Sequence, residues 1–496
     1  MSSENTEKKP RVGGKGPAPS GRLHSHDSRN CSAPSKRPGI RNAGKDPAST
    51  LPPGGSGSPA PRNVRALAHS FLLRCETDER YVNIALDRTL RELRLDSRDR
   101  DFFTALVYGV TERRITLDYY ISLLSKKPLA RLDPTVLTAL RMGLYQIIYM
   151  DGVPDSAACN ESVKLVRRGA SSAAPFVNAV LRSFFRRRDE LRLPDRSADP
   201  YGWLSVRYSV PAELAALWCE QYGEEQAERC LRGMDEPPTP TLRANLIRID
   251  RDALLKRLEQ DGISAEPSPY SPHSVRLTAP CSPASIPAFR EGLCTVQDDA
   301  SGMAVEALAP KRGDTVIDMC SAPGGKSFAA AALMHGEGRI MSYDLYESKL
   351  SLIREGAERL GIEIITSAAR DSSQPDPDCI GAVDCVICDV PCSGFGVLAK
   401  KPDMRARVGE RIADSELPQL QSRILAAASL YPRVGGRLLY STCTLNRHEN
   451  EEQVEAFLAQ NSGYSYEQMH TVFPDPDLPA YLRTDGFFYA VLIRNT

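Results

Sequence analysis

The 496-residue chain lacks an excess of charge, because 63 lysine and arginine residues balance 63 aspartate and glutamate residues. Its overall charge therefore indicates no polyanionic or polycationic partner, and only local clusters can do so. The sequence also has no apolar run near the roughly 18 residues that a transmembrane helix requires, so no membrane partner is expected. The basic N-terminus is not followed by an apolar segment, which argues against a secretory signal.

Paired cysteine spacing is also missing. The chain has 13 cysteines, an odd number without the regular spacing of a disulfide framework, and this favours a reduced protein of the cytoplasm. A chain of this length should fold as about two to four domains, each with a sizeable core. We expect a multidomain protein that acts as a monomer.

Composition and periodicity divide the chain into four regions. Residues 1–62 are rich in glycine, proline, serine and basic residues, so we predict a disordered tail. Residues 63–190 repeat apolar side chains with helical spacing and predict an all-helical domain. Residues 196–295 mix helix and strand patterns, which indicates a small α/β linking module. Residues 296–496 alternate strands with helices, which predicts a mainly parallel sheet covered by helices on both faces.

Basic pairs at the edges of the helical region favour contact with RNA, although lysine and arginine at helix ends also complement the helix dipole. They are Arg113 and Arg114, Lys126 and Lys127, Arg167 and Arg168, and the run from Arg186 to Arg188.

The strongest local motif runs from Cys320 to Lys326, between a predicted strand and an alanine-rich helix. Its paired glycines allow a ligand to approach the backbone, and the helix start presents free N–H groups. A phosphate-binding loop would need a glycine where Cys320 stands, so an ATP site is excluded. Asp344, Asp371 and Asp389 follow successive strands at the edge where parallel sheets bind ligands, which indicates a nucleoside-type ligand.

Two cysteines directly follow predicted strands at this same edge. Cys392 lies in Asp-Val-Pro-Cys-Ser-Gly and Cys443 in Ser-Thr-Cys-Thr, so each is a candidate nucleophile. A buried structural thiol is the alternative for both. Cys385 and Cys388 precede Cys392 with a spacing that could suggest a metal cluster, but strand alternation sends them to opposite faces, so no metal is expected.

These motifs, in this order, resemble the S-adenosylmethionine-dependent RNA cytosine-C5 methyltransferases. The helical N-terminal region, together with the strings Leu242-Arg243-Ala244-Asn245 and Glu291-Gly292 to Gln297-Asp298, looks like the RsmB (Sun/Fmu) branch of that superfamily. The resemblance implies an N-terminal all-α NusB-like RNA-binding domain, then the linking module, then a Rossmann-like class I methyltransferase domain. The implied enzyme transfers methyl to C5 of a cytosine in 16S ribosomal RNA, with free RNA or the assembling small subunit as its partner.

The resemblance also implies roles for individual residues. Cys443 would be the nucleophile that forms an adduct with cytosine C6, Cys392 would help to resolve it, and Asp389 would border both cofactor and base. The residues implied to bind S-adenosylmethionine are Cys320, Ser321, Ala322, Pro323, Gly324, Gly325, Lys326, Asp344, Asp371 and Asp389.

The chemistry explains these residue types. Cytosine C5 is a weak nucleophile, so a thiolate must first add at C6, and only cysteine supplies a soft nucleophile that can later leave. A protonated Asp389 could hydrogen-bond N3 of the base. The group that removes the C5 proton stays open between Cys392 and water.

Two other functions remain open on sequence grounds, a tRNA cytosine-C5 methyltransferase and a non-catalytic ribosome-assembly or antitermination factor with a vestigial fold. Lys400, Lys401 and Arg405 are predicted to guide phosphate, with ordinary solvated loop charges as the alternative. Glu449 is interpreted as a helix-start residue.

Overall fold

The computed structural model describes residues 63–77, 82–93, 95–167, 169–236, 239–414 and 416–496. The predicted disordered tail, residues 1–62, lies outside this part of the chain. Among the described helices, none is both long enough and apolar enough to cross a membrane.

The N-terminal part of the described chain is an all-helical bundle around one hydrophobic core. Its central helix is α5, which is buried over most of residues 136–144. As the sequence predicts, Pro134 opens this helix and the Asp133 side chain accepts a hydrogen bond from the Thr135 backbone at 2.8 Å. The helices are α1 (Val64–Thr77), α2 (Val82–Leu93), α3 (Ser97–Glu112), α4 (Arg114–Leu124), α5 (Pro134–Tyr149), α6 (Asp155–Arg167) and α7 (Ala174–Arg187).

The next segment packs around two hydrophobic clusters. Three helices come first and bury Trp218, and a four-stranded antiparallel sheet with the order β2-β3-β1-β4 follows with its own core. The elements are α8 (Pro200–Tyr208), α9 (Ala212–Tyr222), α10 (Glu224–Gly233), β1 (Thr241–Ala244), α11 (Arg251–Gln260), β2 (Ala265–Pro267), β3 (Ser274–Leu277), α12 (Pro287–Arg290) and β4 (Cys294–Val296).

The C-terminal part is a seven-stranded sheet with the order β10-β11-β9-β8-β5-β6-β7. The five strands from β9 to β7 in this order are parallel, while β11 and β10 are antiparallel. The elements are α13 (Asp299–Leu308), β5 (Thr315–Asp318), α14 (Gly325–Leu333), β6 (Arg339–Asp344), α15 (Glu347–Leu360), β7 (Ile365–Ala369), β8 (Val383–Asp389), α16 (Val408–Ala413), α17 (Glu416–Ala428), β9 (Pro432–Thr442), α18 (Glu451–Gln460), β10 (Tyr464–Val472) and β11 (Phe487–Arg494).

Two hydrophobic clusters cover the two faces of this sheet. Together with the helical bundle and the small antiparallel sheet, they confirm the predicted fold class of an all-α region, an α/β module and a Rossmann-like α/β domain. Within the seven-stranded sheet, the sequence pattern does not predict β10, because this edge strand is largely exposed or half-buried and lacks a continuous apolar pattern.

A fully buried ion pair joins the small sheet to the C-terminal domain. Nε of Arg276, on β3, lies 2.6 Å from Oδ2 of Asp299, on α13, and neither side chain is exposed. Arg276 also donates to the backbone carbonyls of Tyr481 and Arg483, at 3.2 and 2.6 Å. A buried pair of this kind stabilises one domain arrangement only while both partners are present.

We expect the Asp299→Asn substitution to lower the free energy of unfolding by about 3–5 kcal/mol, because it leaves Arg276 as an uncompensated buried charge. Urea unfolding followed by circular dichroism measures this. The control is Glu337→Gln, which breaks an ion pair with Arg312 whose side chains are more than half exposed and should cost no more than about 1 kcal/mol. Equal effects of the two substitutions would contradict the role of burial.

Candidate active site

The C-terminal ends of the five parallel strands meet at one edge of the sheet. Asp318 ends β5, Asp344 ends β6 and Asp389 ends β8. Asp389 lies opposite Ser441 in the register of β8 and β9, and the Ser441 hydroxyl donates to Oδ1 of Asp389 at 2.7 Å. The residues predicted at strand ends therefore share this edge.

The turn between β5 and α14 is held by polar contacts on both sides. The Ser321 hydroxyl donates to the carbonyl oxygen of Tyr343 at 2.8 Å, and the Ser327 hydroxyl donates to Oδ2 of Asp318 at 2.6 Å. Gly324 has φ of 110°, and a Cβ atom there would lie 2.4 Å from the Phe328 ring. Only glycine fits this position. Without a side chain at residue 324, a ligand can approach the backbone of the turn closely.

A cavity of about 200 Å³ opens over this turn. Seven of its lining residues were predicted from the sequence, namely Cys320, Ser321, Ala322, Pro323, Gly325, Lys326 and Asp389. Five were not, namely Val296, Gln297, Asp298, Ser301 and Asp318. The first four come from the end of β4, from the connection after it and from α13, so two domains build the cavity.

Three predicted cofactor residues, Gly324, Asp344 and Asp371, are not part of the described lining. Asp344 is buried at the end of β6, where it accepts a hydrogen bond from the Tyr346 backbone at 3.1 Å. Asp371 is exposed, and hydrogen bonds from the hydroxyl and backbone of Ser373 lower its pKa. Their predicted contacts with a cofactor remain predictions.

Two cavity-lining residues offer acceptor atoms without a hydrogen-bond partner among the described residues. These atoms are Oδ1 of Asp318 and Oε1 of Gln297, and both are buried. Burial raises the pKa of Asp318 to about 7. Nε2 of Gln297 donates to the carbonyl oxygen of Gly325 at 3.0 Å, which fixes this side chain against the turn. The arrangement suits a ligand that brings a positively charged donor group.

A largely buried ion pair connects the cavity with the next strand. Nζ of Lys326 lies 2.7 Å from Oδ2 of Asp389, and it also lies 5.0 Å from the centre of the Phe487 ring. Asp389 thus accepts contacts at both oxygens, from Lys326 and from Ser441. This side chain lines the cavity, and its charge also acts on both candidate nucleophiles.

The two cysteines are in direct contact. Their Sγ atoms are 3.3 Å apart, and both residues are partly exposed. A hydrogen bond from Cys392 lowers the pKa of Cys443, and Lys401 and Lys326 lower it further against the opposing effect of burial. The same hydrogen bond, burial and nearby negative charge raise the pKa of Cys392 well above its usual value. Cys443 is therefore the thiol of this pair that ionises first.

Backbone and side-chain contacts hold the two cysteine loops together. The backbone N–H of Gly396 donates to the carbonyl oxygen of Cys443 at 3.0 Å, and the hydroxyls of Ser393 and Thr444 are 2.7 Å apart. A Cβ atom at Gly396 would lie 1.8 Å from the carbonyl oxygen of Gly486, so this close approach requires glycine. These contacts join the two loops that carry the sulfur atoms.

The basic residues after Cys392 differ from their predicted role. Arg405 is 3% exposed and donates to the carbonyl oxygens of Tyr208 and Met234 at 2.8 and 3.2 Å; the prediction that it guides phosphate is wrong. Nζ of Lys400 lies between Asp298 and Asp485 at 2.7 and 2.8 Å. Lys401 is exposed.

Arg113 and Arg114, the first predicted RNA-binding pair, are also engaged within the protein. Arg113 lies 2.5 Å from Asp235 and Arg114 lies 3.1 Å from Glu76. Cys385 and Cys388 pack into the clusters on opposite faces of the sheet, as strand alternation predicts.

Family models match three segments of the chain. They describe a NusB family domain at residues 62–186, a ferredoxin-like domain of RsmF/B-like methyltransferases at residues 210–283 and a 16S rRNA methyltransferase RsmB/F domain at residues 305–493. A solved structure, that of the protein PH0851, shares the fold with a TM-score of 0.72 and 24% identity, covering 88% of this chain and 99% of that one.

Curated relatives extend over most of the chain. The probable ribosomal RNA small subunit methyltransferase B of Bacillus subtilis (strain 168) is 35% identical over 441 residues, covering 86% of this chain and 97% of its own length. The ribosomal RNA small subunit methyltransferase B of Proteus mirabilis (strain HI4320) is 31% identical over 417 residues, covering 83% and 95%. These matches confirm the resemblance seen in the motifs, and the chain belongs to the RsmB/F family of 16S rRNA methyltransferases.

Proposed function

We propose that this chain transfers a methyl group from S-adenosylmethionine to C5 of a cytosine in 16S ribosomal RNA, through a covalent adduct between Cys443 and C6. The observation that carries the proposal is the 3.3 Å contact between the sulfur atoms of Cys443 and Cys392, beside Asp389 and the cavity. The relatives from Bacillus subtilis and Proteus mirabilis are named for small-subunit ribosomal RNA, which supports the choice of RNA.

The cavity residues fit the proposed cofactor. S-adenosylmethionine supplies a methyl group on a positively charged sulfur, together with an ammonium group that needs acceptors. The unpartnered Oδ1 of Asp318 and Oε1 of Gln297 are such acceptors. The turn from Cys320 to Lys326 would hold the methionine and adenosine parts, and Asp344 and Asp371 would bind ribose and adenine.

Cys443 would attack because its thiolate is the more available of the two. A hydrogen bond from Cys392 and the positive charges of Lys401 and Lys326 stabilise the anion. Addition of this thiolate to C6 raises the electron density at C5, which then accepts the methyl group. The target base has to leave its stack to reach this edge of the sheet.

Asp389 would bind the base at N3. In the free protein both of its oxygens accept, from Lys326 and from Ser441. A protonated Asp389 that donates to N3 must therefore arise as the base enters. Cys392, in contact with Cys443, is placed to assist the departure of that thiol after the C5 proton is lost.

We propose that the protein acts in the cytoplasm as a monomer, on free 16S RNA or on the assembling subunit.

We expect bisulfite sequencing to detect a methylated cytosine in 16S RNA from cells that carry the natural protein, and to find it unmethylated when Cys443→Ala replaces it. The alanine variant lacks the atom that adds to C6. Cys281→Ala, which removes a thiol from a loop outside the described cavity lining, is the control and should preserve methylation. A difference confined to tRNA would show that the substrate proposal is wrong.

We expect the Cys392→Ala variant to accumulate a covalent complex with RNA, because methylation proceeds while release of Cys443 is slowed. A complex that survives denaturing electrophoresis in the presence of S-adenosylmethionine measures this, with Cys443→Ala as the negative control. If Cys392→Ala turned over without a trapped complex, the release role would be wrong.

We also expect a pH dependence that separates the two thiols. The rate of the first turnover should rise with pH up to the pKa of Cys443, which lies below that of an ordinary thiol, and then level off. Cys392→Ala removes the donated hydrogen bond and should move the inflection to higher pH by roughly one unit. Cys392→Ser keeps an O–H donor and should stay closer to the natural profile. Identical inflections in all three proteins would contradict the hydrogen-bond effect.

A further inference from the structure

A buried carboxylate, that of Glu449, lies against the loop that carries Cys392. Glu449 is 2% exposed and ends the short 3-10 turn Arg447–Glu449 before α18. Its Oε2 accepts from the backbone N–H of Ser393 at 2.8 Å and from Nε2 of Gln421 at 2.9 Å, and its Oε1 accepts from Nδ2 of Asn446 at 3.0 Å. The side chain is the acceptor in all three contacts, as an ionised carboxylate is.

The contacts of Glu449 differ from those of a residue that only stabilises the start of a helix. An acidic side chain before a helix ordinarily complements the free N–H groups of the first turn. Glu449 instead reaches Ser393, 56 residues away in sequence, in the loop after β8. The sequence-based interpretation of Glu449 as a helix-start residue therefore misses its principal contact.

Other side chains hold the same loop from both sides. Nε2 of Gln421, which also contacts Glu449, donates to the carbonyl oxygen of Pro391 at 2.9 Å. Nη1 of Arg411 donates to the carbonyl oxygens of Cys392 and Ser393 at 3.2 and 3.0 Å. The residues on either side of Cys392 are thus fixed through Glu449 and Gln421, which restricts where the sulfur can lie.

The charges around the two sulfur atoms are unevenly placed. Glu449 lies on the Cys392 side, where its charge adds to the hydrogen bond with Cys443 and to burial in raising the pKa of Cys392. The positive charges of Lys326 and Lys401, in contrast, lower the pKa of Cys443.

Two further ionisable groups face the pair. Asp389 disfavours the anion at both sulfurs. The hydroxyl of Tyr440 donates to the backbone carbonyl of Glu449 at 2.7 Å, and burial raises the pKa of this tyrosine well above its usual value. Glu449 is the carboxylate that directly contacts the loop carrying Cys392.

We propose that Glu449 is a positioning residue for the thiol pair, which holds Cys392 within hydrogen-bond distance of Cys443 and makes Cys443, rather than Cys392, the thiolate. Cys443 loses its proton to solvent, while Cys392 keeps its own and donates it in a hydrogen bond to the anion. The inference rests on the proposed function for the roles of the two thiols. It concerns the free protein, however, and can be tested without RNA.

The experiment is alkylation of the full-length free protein with iodoacetamide, in which a thiolate displaces iodide and forms a thioether. Peptide mass spectrometry at low conversion gives separate rates for Cys392 and Cys443 over a range of pH. In the natural protein we expect Cys443 to react at least about tenfold faster at neutral pH, which corresponds to one pKa unit. Glu449→Gln should reduce this ratio severalfold or more, because the amide carries no charge.

Two matched variants separate charge from other effects. Glu449→Asp keeps the charge on a shorter side chain, so it should retain more of the preference for Cys443 than Glu449→Gln does, while lowering kcat through a less firmly held loop. Glu452→Gln removes an exposed carboxylate that lies 2.7 Å from His448 and should leave the ratio unchanged. Glu449→Gln should lower kcat with little change in KM for RNA, since the side chain is buried behind the loop.

A folded Glu449→Gln protein with the natural alkylation ratio would overturn the proposal. If that variant fails to fold, the test is the pH dependence of alkylation in the natural protein. Earlier reaction of Cys443 as the pH rises supports the proposal, and earlier reaction of Cys392 overturns it. The proposed function fails separately, if the natural protein shows selective alkylation of Cys443 but transfers no methyl group to RNA.

Discussion

The parallel pairing of β8 with β9 is the constraint on which the candidate active site depends. Its register places Asp389 opposite Ser441, and the chains leave the sheet side by side. Cys392 and Cys443 follow within three residues, so their sulfur atoms meet without any long connection. Lys326 contacts Asp389 at the end of β8, and Glu449 contacts the loop that follows β8, so the contacts of both side chains depend on the same pairing. A shift of either strand along the other would separate the thiols and disable these side chains together.

Sequence patterns predicted much of this edge because parallel strands end on the same side of a sheet. Asp389, Cys392 and Cys443 come together as their positions after strands indicate, and the turn from Cys320 to Lys326 lines the cavity. The patterns were less informative about Asp344 and Asp371. A strand-end position fixes the edge on which a side chain lies, but not its distance from a cavity several residues across.

The remaining features depend on contacts between distant segments, which local patterns do not encode. Gln297 meets Gly325 across 28 residues and Glu449 meets Ser393 across 56. The predicted phosphate-guiding role of Arg405 is wrong because the sequence of a polar loop indicates an exposed side chain. Its burial against the carbonyl oxygens of Tyr208 and Met234 requires that α8 and α10 be in place.

The hydrophobic cluster beneath the cysteine loops has a consequence for the modularity of the chain. Phe395, Leu398 and Leu445, which flank the two cysteines, are packed against α8, α9 and α10, and Arg405 reaches within 3.5 Å of Glu112 at the end of α3. The C-terminal sheet and its loops are therefore not a self-contained unit, because part of their core comes from the preceding helices. Excising them, or joining them to a different N-terminal domain, would remove residues against which the two cysteine loops pack. Substitutions in these helices can therefore alter the activity even when every residue at the sheet edge stays the same.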